Sequence, residues 1–501
     1  MISKLHSAIP YGYDGFLVEV EGDMNRGLPK FDIVGMAGKT VNESRERVKS
    51  ALLNSSFTFP DKKLIVNLAP ADLPKDGSFL DLPIALSILV SSGQLLQKDV
   101  DNRLFVGELS LNGKLRPVRG IINVVEAAKK AGYTEVYLPH QNLAQASLIR
   151  DMQLFPVDNL RELFLHLKNE RPILPTTNVV EKTKTEVSGP LLDHIRGQHL
   201  AKRAMEIAIA GHHNILISGP PGAGKTLLAR AAANLLPPLS PEEQITITKI
   251  HSIANLSDDI VTSRPFRSPH HTASPISIIG GGTRVAPGEI SLAHHGVLFL
   301  DEVPEFPRSV LEALRQPLED KRISISRASQ KSTYPADFML IATMNPCPCG
   351  YAGDPTHECT CSMTQIENYK KKLSGPLFDR IDMNIFVQKV DNSDLLRPTD
   401  SSSHEHDVVK NKITEATARQ YARYHKSDFY NSSLSSHEVS TLLHLSKSAE
   451  ALLSSASEKL NLSARSYFKV ITVAQTIADL EGDCSEISDA HISEALSFRK
   501  R

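Results

Sequence analysis

Short apolar runs, broken by polar, glycine and proline residues, dominate the chain as far as residue 391, and helical spacing takes over beyond it. Ile215-Leu216-Ile217, Val297-Leu298-Phe299-Leu300 and Phe338-Met339-Leu340-Ile341-Ala342 are apolar without interruption. Runs of this kind predict strands buried on both faces, as in a parallel sheet. Leu64 to Leu68 and Glu135 to Leu138 predict two further strands. A helix is predicted from Asp81 to Ser92, where a carboxylate and Pro83 open the first turn and Gly93 closes the last. Others are predicted from Ile122 to Ala131, stopped by Gly132, and over the Ala- and Leu-rich stretch Leu227 to Leu236. Leu104 to Leu111 and Lys114 to Arg116 flank Asn112-Gly113 and predict a hairpin. Near the C-terminus, Ala449, Leu452 and Leu453 recur at helix spacing, as do Val470, Val473, Ala474 and Ile477.

Two polar stretches divide this pattern. Residues 1–170 read as a mixed α+β domain and 171–190 as a linker. Residues 191–391 read as an α/β nucleotide-binding core, 392–406 as a second linker, and 407–501 as a helical domain.

The densest chemistry is Gly219-Pro220-Pro221-Gly222-Ala223-Gly224-Lys225-Thr226, which fits G-x-x-x-x-G-K-[ST]. A predicted strand precedes it and a predicted helix follows. That context curls backbone N–H groups around a phosphate at a positive helix end. Lys225 is placed to reach the outer phosphates and Thr226 to bind magnesium, so ATP and magnesium are the expected ligands. Asp301-Glu302 ends a second buried run, at the edge where open α/β sheets take their ligands. Asp301 is expected to hold magnesium through water, and Glu302 to polarise the attacking water. Asn345 ends a third run, within reach of a γ-phosphate or that water. Arg380, in Ser374-Gly375-Pro376-Leu377-Phe378-Asp379-Arg380-Ile381-Asp382, reads either as a surface ion pair or as an arginine finger for a neighbouring subunit.

Phosphate loop, Asp-Glu strand, polar strand end, arginine and helical C-terminus together resemble an AAA+ ATPase of the magnesium-chelatase-like branch, and within it the ComM/YifB family. The resemblance is carried by GLPKFDIVG (27–35), NESRERVKSAL (42–52), VNLAPADLPKDG (66–77), FRSPHHTAS (266–274), PGEISLAHHGVLFLDE (287–302), NPCPCGY (345–351) and SGPLFDRID (374–382). It implies a hexameric ring acting on DNA, single-stranded or branched, with branch migration as the activity, and it places Arg465 where the lid's sensor arginine sits. The first domain resembles the proteolytic domain of Lon through GELSLNGKLRPVRG (107–120) and PKDG (74–77). Phe79 and Ile122 stand where Lon has its serine and lysine, and neither can act as nucleophile or base. Ser78 is one place off, and Lys129 is the first lysine along the following helix. The reading is therefore a non-proteolytic docking or ring-stabilising module.

Composition restricts the partners. Lys+Arg 56 against Asp+Glu 57 leaves a formal charge of -1. DNA must then be gripped locally, and the expected places are Lys321, Arg322 and Arg327 and a glycine loop ending at Arg284. That loop, Ile278 to Arg284, is expected to be mobile, and Gln316 to Arg327 reads as a turn between strands. Cys347, Cys349, Cys359 and Cys361 form two C-x-C pairs that can supply four thiolates to zinc, or stand as a reduced, metal-free loop. Cys484 reads as a buried apolar residue, and the pairs His270-His271 and His294-His295 as structural. No run is long enough for a membrane span and no signal peptide is evident, so a cytoplasmic location is expected. A metal-chelatase motor subunit, an ATP-dependent protease and an ATP-switched scaffold are the alternatives. The Lon-like domain weighs against the first, the missing dyad against the second, and Glu302 with Arg380 against the third.

Overall fold

The computed structural model describes residues 2–499 except 37, 76, 177–188, 255, 257–258, 283–284, 328–329, 355–356, 374, 390–403 and 483–485. Most of both linkers, Arg284, Ser374 and Cys484 thus lie outside the described residues.

In the N-terminal domain β1 (Ser3–Tyr11) and β2 (Asp14–Asn25) form an antiparallel pair. They are followed by β3 (Lys30–Val34), β4 (Lys63–Ala69), β5 (Arg103–Phe105), β6 (Glu108–Leu109), β7 (Leu115–Arg116), β8 (Glu135–Pro139) and β9 (Gln153–Val157). Seven of these make one mixed sheet in the order β3-β4-β2-β1-β5-β8-β9. The helix Asp81–Ser91 is buried along its whole length, as its nearly unbroken apolar sequence requires. The expected hairpin around Asn112-Gly113 is shorter than its apolar pattern suggested. Leu104 and Phe105 join the large sheet, and only Glu108–Leu109 pairs with β7. Gly113 turns the chain at φ +77°, and a Cβ there would meet the Ser55 hydroxyl at 2.1 Å.

The nucleotide-binding core contains β10 (Ile215–Ser218), β11 (Phe266–Arg267), β12 (Gly280–Gly281), β13 (Ala286–Pro287), β14 (Val297–Leu300), β15 (Arg322–Arg327), β16 (Gln330–Pro335), β17 (Met339–Met344) and β18 (Met383–Phe386). Its sheet runs β11-β14-β17-β10-β18, and every pairing is parallel. The three uninterrupted apolar runs are its inner strands. Their C-terminal ends lie together at one edge, because Ser218 pairs with Met344 and Leu300 with Ala342.

The structure departs from the sequence pattern at three places. The glycine stretch is built rather than mobile over its described part: the helix Pro275–Ile279 runs into the β12–β13 pair. Gly280, at φ +105°, presses so close to the β15–β16 hairpin that a Cβ would sit 2.5 Å from Ile325 Cδ1. Gln316 to Arg327 is not a bare turn, since Pro317–Asp320 is helical and β15 pairs with β16 over its full length. The second linker ends early, because a helix runs from Glu405 to Tyr424. Its free N–H groups are capped from a distance: those of Glu405 and His406 donate to the Asp193 carboxylate at 3.0 and 3.3 Å.

The C-terminal helices Lys447–Leu460, Ala464–Glu481 and Asp489–Ser497 each start at a serine that accepts a backbone N–H. Their apolar faces share one core with the sheet, in which Ile207 and Ile217 lie with Val470 and Ile477. The N-terminal domain docks on the helix Pro241–Ile253, which opens with a Ser240–Glu243 capping box. There Lys249 Nζ lies 2.5 Å from a Glu126 carboxylate oxygen and 4.0 Å over the Tyr13 ring. Tyr13 in turn stands edge-on to Tyr334 of β16, with ring centroids 6.2 Å apart. Among the described residues no helix is long and apolar enough to cross a membrane.

Candidate functional site

The phosphate loop spans the turn between β10 and the helix Lys225–Ala233. Gly222 and Gly224 take φ +79° and +80°, which side-chain-bearing residues rarely adopt. Gly219 is required for space, since a Cβ would meet the Val387 carbonyl oxygen at 2.4 Å. Lys225 Nζ donates to the carbonyls of Gly219 (2.5 Å) and Pro220 (3.2 Å) and to Asn345 Oδ1 (2.8 Å). Burial lowers its pKa, and Asp301 and Glu302 oppose that shift. Thr226 Oγ1 donates to Asp301 Oδ2 at 3.2 Å, and Asn345 Nδ2 to Glu302 Oε1 at 3.3 Å. Lys225, Thr226, Asp301, Glu302 and Asn345, drawn from three strand ends, form two hydrogen-bonded sets that Thr343 joins into one group. A lysine, a hydroxyl and two carboxylates beside a glycine-rich turn suit a magnesium-bound polyphosphate.

Thr343, on β17, was not singled out from the sequence. Its hydroxyl hydrogen-bonds Asp301 Oδ1 at 2.5 Å and accepts the Glu302 N–H at 3.0 Å, which fixes the pair. Glu302 itself sits at φ +54°, an uncommon conformation for a side-chain-bearing residue, so the chain turns sharply where the carboxylate is presented.

The two candidate arginines lie elsewhere. Arg380 precedes β18, whose Met383 pairs with Ile215, and its carbonyl accepts from Asn214 Nδ2. It therefore stands at the N-terminal edge of the sheet, opposite the phosphate loop. At ~3.3 Å per residue, strand β10 puts about 13 Å between the two edges. All three guanidinium nitrogens of Arg380 are engaged: Nε with Arg315 O (3.2 Å), Nη1 with Pro376 O (2.5 Å) and Nη2 with Glu319 Oε2 (2.6 Å). Arg465, in the first turn of Ala464–Glu481, reaches the other oxygen of the same carboxylate at 2.6 Å. One turn on, Lys469 pairs with buried Asp382 at 2.7 Å. These groups line a cavity of about 720 Å³ shared with Lys321, Asp337 and Ser433. Lys321 donates to Asp337 (2.9 Å) and to Ser433 (2.7 Å), so it is tied to its own chain rather than free for DNA. Arg322 and Lys331 are exposed on the hairpin, whereas the side chain of Arg327 lies outside the described residues.

The four clustered cysteines come together. Their sulfurs lie within 4.8 Å of one another, with Cys347 at 3.3 Å from Cys349 and 3.7 Å from Cys359. Thiolates on a tetrahedral zinc stand about 3.8 Å apart, from Zn–S of about 2.3 Å. The N–H groups of Ala352 and Cys349 point at the sulfurs of Cys347 and Cys361, and that of Tyr351 helps pull Cys349 down to about 6. A sulfur set with converging N–H donors is the chemistry of a thiolate metal site. The loop also touches the phosphate loop: a Cβ on Gly350 would sit 2.9 Å from Pro221 Cδ. The paired histidines are structural where described. His294 accepts the Asp337 N–H at 3.0 Å, and His270 pairs with Thr272.

Comparison with known proteins settles the ancestry. The family described as Magnesium chelatase, subunit ChlI matches residues 191–395. Subunit ChlI of Mg-chelatase matches residues 20–142, and the ChlI C-terminal family matches 403–499. The chain is 42% identical to Competence protein ComM of Haemophilus influenzae over 99% of its own length and 97% of that protein's. It is 40% identical to YifB of Salmonella typhimurium over the same shares. The chain belongs to the ComM/YifB family of magnesium-chelatase-like AAA+ ATPases. Its N-terminal region also resembles Lon: the Lon protease of Methanosarcina barkeri is 27% identical over 32% of this chain and 22% of its own length.

In this ComM/YifB chain the Lon-like positions are filled for packing. Ile122 is fully buried and Phe79 packs against two apolar clusters. Ser78 donates to the Glu108 carboxylate, and Lys75, buried and lowered in pKa by desolvation, donates to the Pro70 carbonyl. Serine and lysine thus have separate partners. Glu319 and Lys469 belong to no motif that marks a role for them. Only their opposite charge to Arg380, Arg465 and Asp382 signalled them, across separations that no motif spans.

Proposed function

We propose that this chain is an ATP-hydrolysing motor that assembles as a hexameric ring and remodels DNA by branch migration during recombination or natural transformation. The observation that supports it most is the division of the ATP chemistry between opposite edges of one sheet. Lys225 and the loop N–H groups bind the phosphates. Thr226 and Asp301 hold magnesium, which when bound neutralises charge on the phosphates. Glu302 polarises water, with Asn345 aligning it. Arg380 and Arg465 face away from this group and serve the nucleotide of the next subunit. The full-length similarity to a competence protein supports DNA as the partner.

The four cysteines hold zinc, which when bound ties the loop after β17 into one unit beside Pro221. The N-terminal domain is a docking module without protease activity, seated on the helix Pro241–Ile253 and on β16. With no excess of basic residues to hold DNA, the grip is local, and the exposed Arg322 and Lys331 of the β15–β16 hairpin are its best-placed cations.

The test is ATP hydrolysis with and without single-stranded, duplex and branched DNA, at several salt concentrations. Stimulation that fades with salt, and that Arg322→Ala with Lys331→Ala reduces while sparing the DNA-free rate, is the expected result. Absence of stimulation by any DNA at any salt overturns the DNA reading and favours the metal-chelatase alternative.

A further inference from the structure

Arg380 is only 9% exposed and spends every guanidinium nitrogen on its own subunit, a poor posture for a group meant to reach a neighbour. Arg465 is more open, its side chain 41% exposed, yet it shares the same partner. That partner, Glu319, bridges them with one oxygen each, and the two arginines hold its carboxyl below the usual range, Arg380 first.

The position of Glu319 gives the bridge a second meaning. It lies in the helix Pro317–Asp320, two residues before Lys321 and three before Arg322, where β15 begins. Lys321 takes φ +53°, so the chain bends sharply between bridge and hairpin. The foot of the hairpin is closed by the Ala336 N–H donating to the Lys321 carbonyl (2.8 Å) and by Lys321 Nζ on Asp337 (2.9 Å). A force on β15–β16 therefore acts first on Lys321 and then on Glu319, while Lys469–Asp382 keeps the lid helix and the Arg380 segment together.

We propose that Glu319 is a positioning residue that holds Arg380 and Arg465 back from the neighbouring nucleotide and releases them when the hairpin is loaded. This rests on the reading that both arginines act across a subunit boundary. Glu319 then couples occupancy of the hairpin to hydrolysis: an unloaded ring idles, and a loaded one turns over.

The experiment is steady-state ATPase of the assembled full-length protein, with and without branched DNA, for wild type, Glu319→Gln, Glu319→Asp and Arg380→Ala, with melting curves alongside. Glu319→Gln keeps the shape and removes the charge. Its DNA-free rate is expected to rise about fivefold or more, the low end of ordinary coupling between sites, with DNA stimulation shrinking by the same factor. A structural role would instead lower both rates together or leave both unchanged, and either result at an unchanged melting temperature overturns the proposal. If Glu319→Gln melts early, Glu319→Asp carries the test. It keeps the charge but withdraws the carboxylate by one methylene, and a DNA-free rate that does not rise there overturns the proposal too. Arg380→Ala separates the two readings. A wild-type rate in that variant means the trans-acting arginine has failed; a slow Arg380→Ala with no rise at Glu319 means that only the latch has.

Discussion

The two edges of the five-stranded sheet carry opposite chemistries. At the C-terminal edge, backbone N–H groups, a lysine, a hydroxyl and two carboxylates surround a space suited to polyphosphate and a cation. At the N-terminal edge, two arginines and a lysine are held by Glu319 and Asp382. The first edge carries one cation, Lys225, among its binding groups; in the proposed ring the second would add further positive charge around a transferring phosphoryl group. In the proposed ring, copies packed head to tail would bring the second edge against the first.

The sharpest way to break this division is to remove a group from the binding edge. Glu302→Gln keeps the side chain's shape but cannot polarise water. ATP should still bind while the hydrolysis rate falls about 100-fold or more. Nucleotide binding that persists with normal turnover would remove Glu302 from its role. At the opposite edge the largest effect is on stability. Lys469→Ala strands the buried Asp382 carboxylate, and losing one member of a buried pair costs about 3 kcal/mol. Denaturant titration should show it, and a loss below about 1 kcal/mol would mean that water already screens the pair.

The cysteine loop sharpens the comparison from the binding side, because it leans on Pro221. Protein purified without a metal-affinity tag should carry about one zinc per chain, and stripping the metal should loosen the loop before the rest unfolds. Elemental analysis near zero under reducing conditions would contradict the thiolate site.

The smallest expected effect is on pH. His213 is fully buried beside Asp382, donating or accepting at Thr476 Oγ1 (2.8 Å), and burial lowers its pKa to about 4. The unfolded chain binds this proton near pH 6.5, so the unfolded state gains protons first on acidification. The contribution of His213 is present above about pH 6.5 and is lost as pH falls toward 4, by about 1 kcal/mol between pH 6 and 5. Unfolding free energies at those two pH values, for wild type and His213→Gln, measure it; equal slopes in both would exclude His213 as the source.

The binding edge was legible in sequence because its parts are local. A glycine turn with Lys225 and Thr226, and carboxylates at the end of an apolar run, announce themselves within a few residues. Thr343 was not legible: a threonine inside an apolar strand gives no sign that it holds Asp301 and Glu302. The arginine edge was legible only in part. Arg380 stood out beside the acidic residues of its own segment and Arg465 through family resemblance, but their common partner Glu319 lies 61 and 146 positions away, and only the fold brings the three together. The start of the lid helix at Glu405 escaped for the same reason, since its cap is Asp193 from the other side of the core. In the first domain the glycine turn at Gly113 was readable and the split of Leu104–Leu111 between two sheets was not, because strand partners are chosen by tertiary packing.

The decisive question is whether the two edges meet between chains. Arg380→Ala and Glu302→Gln subunits, each nearly inactive alone, should be mixed in varied ratios and assayed for ATP hydrolysis. If the edges meet, some boundaries carry an intact Glu302 on one side and an intact Arg380 on the other, and activity should return in proportion to their number. No recovery in rings verified to contain both variants would contradict a trans-acting Arg380.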